Sequence, residues 1–157
     1  MSAYQDGPLV VLLSGPNLNL LGDREPAIYG LQNLADHVAE AADEAKQFGM
    51  RVEHLQSNHE GDLVEEVHRS RKRAAAIVVN AGALSHTSWA LHDALASFDG
   101  VVIELHLSNP AAREPFRHKS VLAPATNGLI CGFGGLGYRL AMNAVARLLS
   151  TRDSGGK

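Results

Sequence analysis

Cysteine is almost missing from this chain: Cys131 stands alone among 157 residues. No internal disulfide can form, which excludes a secreted disulfide scaffold and suits a reducing cytoplasm. Aromatic residues make up only 5%, the net charge is -3, and Lys and Arg form no stripe. A nucleic-acid partner is therefore not expected. No stretch approaches the ~20 apolar residues that a membrane span needs, so no membrane partner is expected. Met1 to Pro8 lacks basic residues and a short apolar run follows it, so no signal peptide is expected. The G-x-S-x-G pattern of a serine hydrolase is absent. Eight histidines are present, yet none pairs at i, i+4 on a helix with a carboxylate, and no metal is expected. Internal repeats and low-complexity segments are also lacking.

What is present reads as one globular domain over 1–157, 45% apolar and 20% charged, with flexible tails at 1–7 and 152–157. Leu9 to Leu13 is a short apolar run closed by Ser14-Gly15-Pro16-Asn17, a buried strand entering a turn. From Gly15 to Gly30 there is no regular period, yet Asn17, Asn19, Asp23, Arg24, Glu25 and Tyr29 are packed into it. Connections that long tend to be functional lids or disordered, and this one is too rich in Leu and Ile for a solvated linker. It reads as a loop folded over a site at the end of the first strand.

Further along, Asn33 can cap a helix with Leu34, Val38, Ala41, Ala45 and Phe48 on one face, ended by Gly49. Arg51 to Gln56 is a weaker strand suited to a sheet edge. Ser57 and Asn58, with Glu60 or Asp62, read as caps of a helix carrying Leu63, Val64 and Val67. Ala74 to Val79 is a third strand, followed by a helix with Leu91, Ala94, Leu95 and Phe98. Val101 to Leu107 is a fourth, broken by Ser108-Asn109-Pro110 and followed by a basic segment, Ala112 to Lys119. Gly128 to Cys131 is a fifth. The last helix starts near Gly135 and buries Tyr138, Ala141, Val145 and Leu148. His37, His54, His68 and His118 read as surface or packing residues.

Strand and helix alternate five times, and strands apolar on both faces belong to helix-covered parallel sheets. The predicted fold is α/β: a three-layer sandwich around a flavodoxin-like five-stranded parallel sheet, order 2-1-3-4-5. Ligands then bind beyond the carboxyl ends of the strands, at the switch between strands 1 and 3. That rule gathers Asn17, Arg24 and Tyr29 after strand 1, and Asn80 and His86 after strand 3. It adds Glu104, His106, Ser108, Arg113 and Arg117 at and after strand 4.

Glu104 and His106 are two apart on a strand and face the same way. The carboxylate can orient the imidazole; a simple ion pair is the plain alternative. Gly132 to Gly137 matches G-x-G-x-x-G, but no further βαβ return with an acidic residue follows, so these glycines read as packing for the last helix. The first turn lacks the Ser/Thr-rich phosphate grip of a flavin site. No cofactor is expected. What remains is a Tyr, several Arg, a Glu–His pair and amide groups. A Tyr acts as base only if its phenol ionises far below ~10. Lowering it about 3 units takes about 4 kcal/mol, for which Arg24 and Arg113 are the available sources. Base, acid and an amide for developing charge suit proton abstraction beside a carbonyl followed by loss of a leaving group. The Arg, Ser and backbone N–H groups suit an anionic, hydroxyl-rich substrate.

The same residues carry a family pattern. Gly15-Pro16-Asn17-Leu18-Asn19, Arg24-Glu25-Pro26-x-x-Tyr29-Gly30, Gln56-Ser57-Asn58-His59-Glu60-Gly61, His86-Thr87-Ser88, Glu104-x-His106-x-Ser108-Asn109 and Arg113-Glu114-x-Phe116-Arg117 occur in order from about Leu9 to Leu149. In these motifs the chain resembles type II 3-dehydroquinate dehydratase. The resemblance implies a cytoplasmic homododecamer, a tetramer of trimers, that converts 3-dehydroquinate to 3-dehydroshikimate by anti elimination through an enolate, in the shikimate pathway or in quinate catabolism. By position it implies Tyr29 as base, helped by Arg24; Asn17 as enolate stabiliser; and His106, oriented by Glu104, as acid. It implies that Leu107 and Ser108 hold the carboxylate, and that Asn80, His86 and Arg117 hold the hydroxyls, with Arg113 in support. Asp93 would reach a neighbouring subunit's site. The sequence departs from the usual pattern at Ala81, Leu84, Trp89 and His92. The other reading is a non-catalytic ligand-binding homologue with the same pocket.

Overall fold

Six residues, Leu9–Ser14, form β1, and all six are buried. Its alternate side chains serve two cores. Val10 and Leu12 join one cluster with Ala41, Ala45, Tyr138 and Met142, while Leu9, Val11 and Leu13 join another with Leu63, Val67, Leu91 and Leu95. A strand that is buried on both faces must be covered by helices on both sides. The computed structural model describes residues 7–23 and 25–155, and at Tyr29 the backbone alone.

After β1 come α1 (Pro26–Tyr29), α2 (Leu34–Gln47), β2 (Arg51–Gln56), α3 (Glu60–Ser70), β3 (Ala76–Asn80), α4 (Trp89–Ala96), β4 (Val101–His106), β5 (Gly128–Cys131) and α5 (Leu136–Ser154). All pairings are parallel, and the order is β2-β1-β3-β4-β5. This is the α/β three-layer sandwich expected from the alternating pattern. The core residues place α2 and α5 on one face of the sheet and α3 and α4 on the other. The polar strand β2 lies at an edge, as its composition suggests.

Local chemistry accounts for the element ends. Asn33 and Asp36 form a reciprocal capping box at the start of α2: the Asn33 side chain accepts from Asp36 N, and the Asp36 carboxylate accepts from Asn33 N. Gly49, just past the helix, takes φ +69°, the left-handed conformation that costs glycine least.

Several details differ from the sequence reading. The stretch from Gly15 to Gly30 is not wholly irregular: Leu18–Leu20 makes a 3-10 turn, and Pro26 starts the single turn of α1. Leu18 and Leu21 are buried and pin the loop to the core. Phe48 is not part of the buried face; it caps the end of α2 and is 42% exposed. β3 begins at Ala76 rather than Ala74. Leu148 packs against the core while remaining partly open. His37 agrees with its reading as a surface or packing residue: it is fully enclosed and stacks on Tyr138, with ring centroids 5.1 Å apart. Ser57 does not cap α3 directly. It accepts from His59 N and donates to Asp62, and the N-cap position falls on His59.

Candidate active site

The carboxyl ends of β1, β3 and β4 lie side by side, and three loops leave them. The first two are locked together at Gly15, whose N–H donates to Asn80 O at 2.8 Å. A Cβ on Gly15 would sit 2.3 Å from Ala81 O, so this close approach of two backbones requires glycine. Asn17 follows with φ +69°, a conformation that Asn tolerates better than most side chains. Its N–H donates to Asn58 Oδ1 at 2.9 Å. The Gln56 amide donates to that same oxygen at 3.1 Å and to Gly15 O at 3.2 Å. The end of β2 therefore holds the β1 loop in place.

At the end of β4, His106 Nε2 donates to Glu104 Oε1 at 2.8 Å. Glu104 is completely buried and His106 nearly so. The Ser120 hydroxyl donates to the same carboxylate oxygen at 2.7 Å. His106 thus carries a proton on Nε2, which leaves Nδ1 as the nitrogen able to serve a ligand. His86 lies beside it, its ring 13° from parallel and its centroid 6.3 Å away. The Nδ1 of His86 donates to Lys119 O at 2.8 Å.

These groups border one hollow of about 200 Å³. Asn17, Asn80 and His86 line it from the β1 and β3 loops, while His106, Leu107, Ser108, Arg113 and Arg117 line it from β4 and beyond. Arg117 is held by Glu114, with Nε to Oε2 at 2.7 Å. The backbone N–H of Glu114 and then Arg117 keep the Glu114 carboxyl below the usual carboxylate range. Arg113 Nη1 reaches Ser108 Oγ at 3.4 Å. Two guanidinium groups, two imidazoles and two carboxamides around so small a space suit an anion bearing several hydroxyl groups. Among the described residues no three His, Cys, Asp or Glu side chains gather as metal ligands would.

Of the residues singled out in the sequence, Glu104 stands behind the hollow and orients its wall. Asp93 does not line it: it is exposed on α4. Arg24 and the side chain of Tyr29 lie outside the described residues. Tyr138 is no substitute base, because burial pushes its phenol up to about 12 and it stays protonated. Sequence reasoning missed Gln56 and Asn58 as anchors of Asn17, and Ser120 as a partner of Glu104. The Gln56-Ser57-Asn58 motif was visible, but nothing in it tells capping from bracing a neighbouring loop.

A family model described as dehydroquinase class II matches residues 8–146. The chain belongs to the class II dehydroquinase family. It is 50% identical over 145 residues to 3-dehydroquinate dehydratase 2 of Pseudomonas putida, covering 92% of this chain and 97% of that one. It is 52% identical over 139 residues to the 3-dehydroquinate dehydratase of Rhizobium meliloti, with coverages of 88% and 94%. The crystal structure of the type II dehydroquinase of Propionibacterium acnes superposes with a TM-score of 0.86 at 38% identity, covering 90% and 97%.

Membership of this dehydroquinase family gives the departures a structural reading. Ala81 is fully buried where the β1 and β3 loops touch. Leu84 packs against the second core cluster and does not line the hollow. Trp89 is exposed, with its ring edge-on to His92 at 5.2 Å, and His92 Nδ1 donates to Val121 O at 2.7 Å. None of the four contacts Glu104 or His106 through a hydrogen bond.

Proposed function

We propose that this chain is a hydro-lyase that converts 3-dehydroquinate to 3-dehydroshikimate and water, as the names of its relatives imply. The observation that carries the reading is the His106–Glu104 pair, which turns one imidazole nitrogen toward a hollow walled by Arg113 and Arg117. We read the whole chain as one catalytic domain.

In this reading Tyr29, with its phenol made more acidic by Arg24, takes the proton from C2. The electron pair moves toward the C3 carbonyl, and the negative charge that develops there meets Asn17. The enolate then expels the C1 hydroxyl while His106 delivers a proton to it, so the departing group is water and the C1–C2 double bond forms. Proton donor and acceptor belong to different elements, β4 and α1, which fits removal and departure from opposite faces of the ring. Glu104 keeps the imidazole turned correctly and balances its charge. The backbone N–H groups of Leu107 and Ser108 take the carboxylate, with Arg113 in support. Asn80, His86 and Arg117 take the hydroxyls.

Self-association as a homododecamer belongs to the same proposal, with Asp93 completing a neighbour's site. Exposed Leu129 on the edge strand β5, with Phe133 and Leu136 beside it, offers apolar surface for contact. Light scattering tests this: the expected mass is twelve times the 16.7 kDa subunit. Among the described residues no helix is long and apolar enough to cross a membrane; we place the protein in the cytoplasm, where Cys131 stays reduced.

The deciding assay follows ultraviolet absorbance of the conjugated enone after 3-dehydroquinate is added. Appearance of the product is expected, and binding without product would overturn the reading.

A further inference from the structure

We propose that Ser120 is a positioning residue for the acid: acting through Glu104, it fixes which nitrogen of His106 faces the substrate. The inference rests on the dehydratase reading only for its kinetic consequence. The Ser120 oxygen accepts from Leu122 N and from Ala123 N, both at 3.1 Å. With both lone pairs engaged, the hydroxyl has only its proton to offer, and that proton goes to Glu104 Oε1 at 2.7 Å. The direction of this bond is therefore set by the backbone, not chosen by the hydroxyl.

Glu104 Oε1 then receives two donors, Ser120 and His106, while the buried Oε2 has no hydrogen-bond partner among the described residues. A carboxylate terminal torsion is broad and roughly two-fold. Without Ser120, rotation about that bond can present either oxygen to the imidazole, and its aim loosens. With Ser120 in place, one oxygen is pinned as a double acceptor, and the Nε2–H of His106 has a fixed target. The neighbouring residue does a parallel service, since Lys119 O accepts from His86 Nδ1 at 2.8 Å. Two consecutive residues thereby set the orientation of both imidazoles facing the hollow.

A purely structural role is the competing explanation, because Ser120 also organises the turn that leads into residues 123–125. Two variants separate the two. Ser120→Ala removes the hydroxyl, and Ser120→Thr keeps it. Ser120→Ala is expected to lower kcat about tenfold, the low end for loss of an orienting partner, with KM within about twofold. In nitrogen-15 spectra of the parent, the Nε2–H of His106 should give one sharp signal, because Glu104 Oε1 holds it. The alanine variant should show that Nε2–H signal broadened or shifted, and threonine should restore both kcat and the parental signal. Parental His106 signals in Ser120→Ala would overturn the proposal. So would a loss of kcat that tracks a fall in Tm and is not restored by threonine. If the parent makes no product at all, the dehydratase reading fails, while the ring-nitrogen signals still decide the role of Ser120.

Discussion

His106 and Glu104 meet on a strand that is buried along its whole length, Nε2 to Oε1 at 2.8 Å. A hydrogen-bonded pair in that setting is held by its surroundings rather than by its own flexible stems. If it serves as the acid, His106→Ala should lower kcat by roughly 10²- to 10⁴-fold, the usual contribution of a positioned acid or base. Binding of the ring acid, followed by calorimetry, should survive within a few-fold. Glu104→Gln should also cost mainly kcat, because the amide still fills the space but no longer offers two equivalent acceptors.

The stacked partner of His106 should behave differently. His86 has its Nδ1 committed to Lys119 O, so it can contribute an acceptor to a hydroxyl but is poorly arranged to deliver a proton. His86→Ala should raise KM roughly tenfold, in line with loss of one well-made hydrogen bond of about 1.4 kcal/mol. A change confined to kcat would contradict this.

Asn58 tests whether the β2 end braces the β1 loop. Asn58→Ala removes the acceptor shared by Asn17 N and the Gln56 amide. Loss of about 1 kcal/mol of loop order should appear as a several-fold lower kcat with little change in Tm. An unchanged kcat would mean that Asn17 holds its position without help.

His37 predicts how stability depends on pH. Burial holds its imidazole below the ordinary histidine value, against the opposing pull of Glu40 and Asp36. The unfolded chain therefore takes up a proton first as pH falls. Stability is full above the unfolded value of about 6.5 and declines as pH drops through the lowered folded value. His37→Phe keeps a ring against Tyr138 and removes two buried nitrogens that have no partner among the described residues. It should raise Tm more at pH 5 than at pH 8; an equal shift at both would sink the argument.

The start of α2 gives a stability test far from the hollow. Asn33→Ala removes the side-chain acceptor of the capping box and should cost about 1 kcal/mol. In a chain of this size that corresponds to roughly 2–4 °C in Tm, measured by circular dichroism.

The fold could be read in the sequence because its signals are local and agree with one another. The apolar runs of β1 and β3 have no polar face, and Asn33 and Gly49 mark the two ends of α2. The switch-point rule then placed Asn17, Asn80, His86 and His106 together, and they line one hollow. What escaped is what depends on contacts distant in sequence. Asn58 looks like any helix-entry residue until the β1 loop is seen lying against it, 41 positions away. Ser120 lies in a segment with no period at all, and only the fold brings it to Glu104. Phe48 fits the apolar spacing of α2, yet the helix ends there and leaves the residue well exposed.

One asymmetry of the site reaches beyond catalysis. The strand bearing His106 is sealed between two helical layers, while residues 25–28 and 30–33 are all exposed. Amides of β4 should exchange with deuterium only when the whole sheet opens, whereas the stretch around α1 should exchange through small local openings. A protease given the native protein would therefore find its first cut on the proton-accepting side. The nicked molecule would keep its melting behaviour and its grip on a carboxylate, yet be silent as a catalyst.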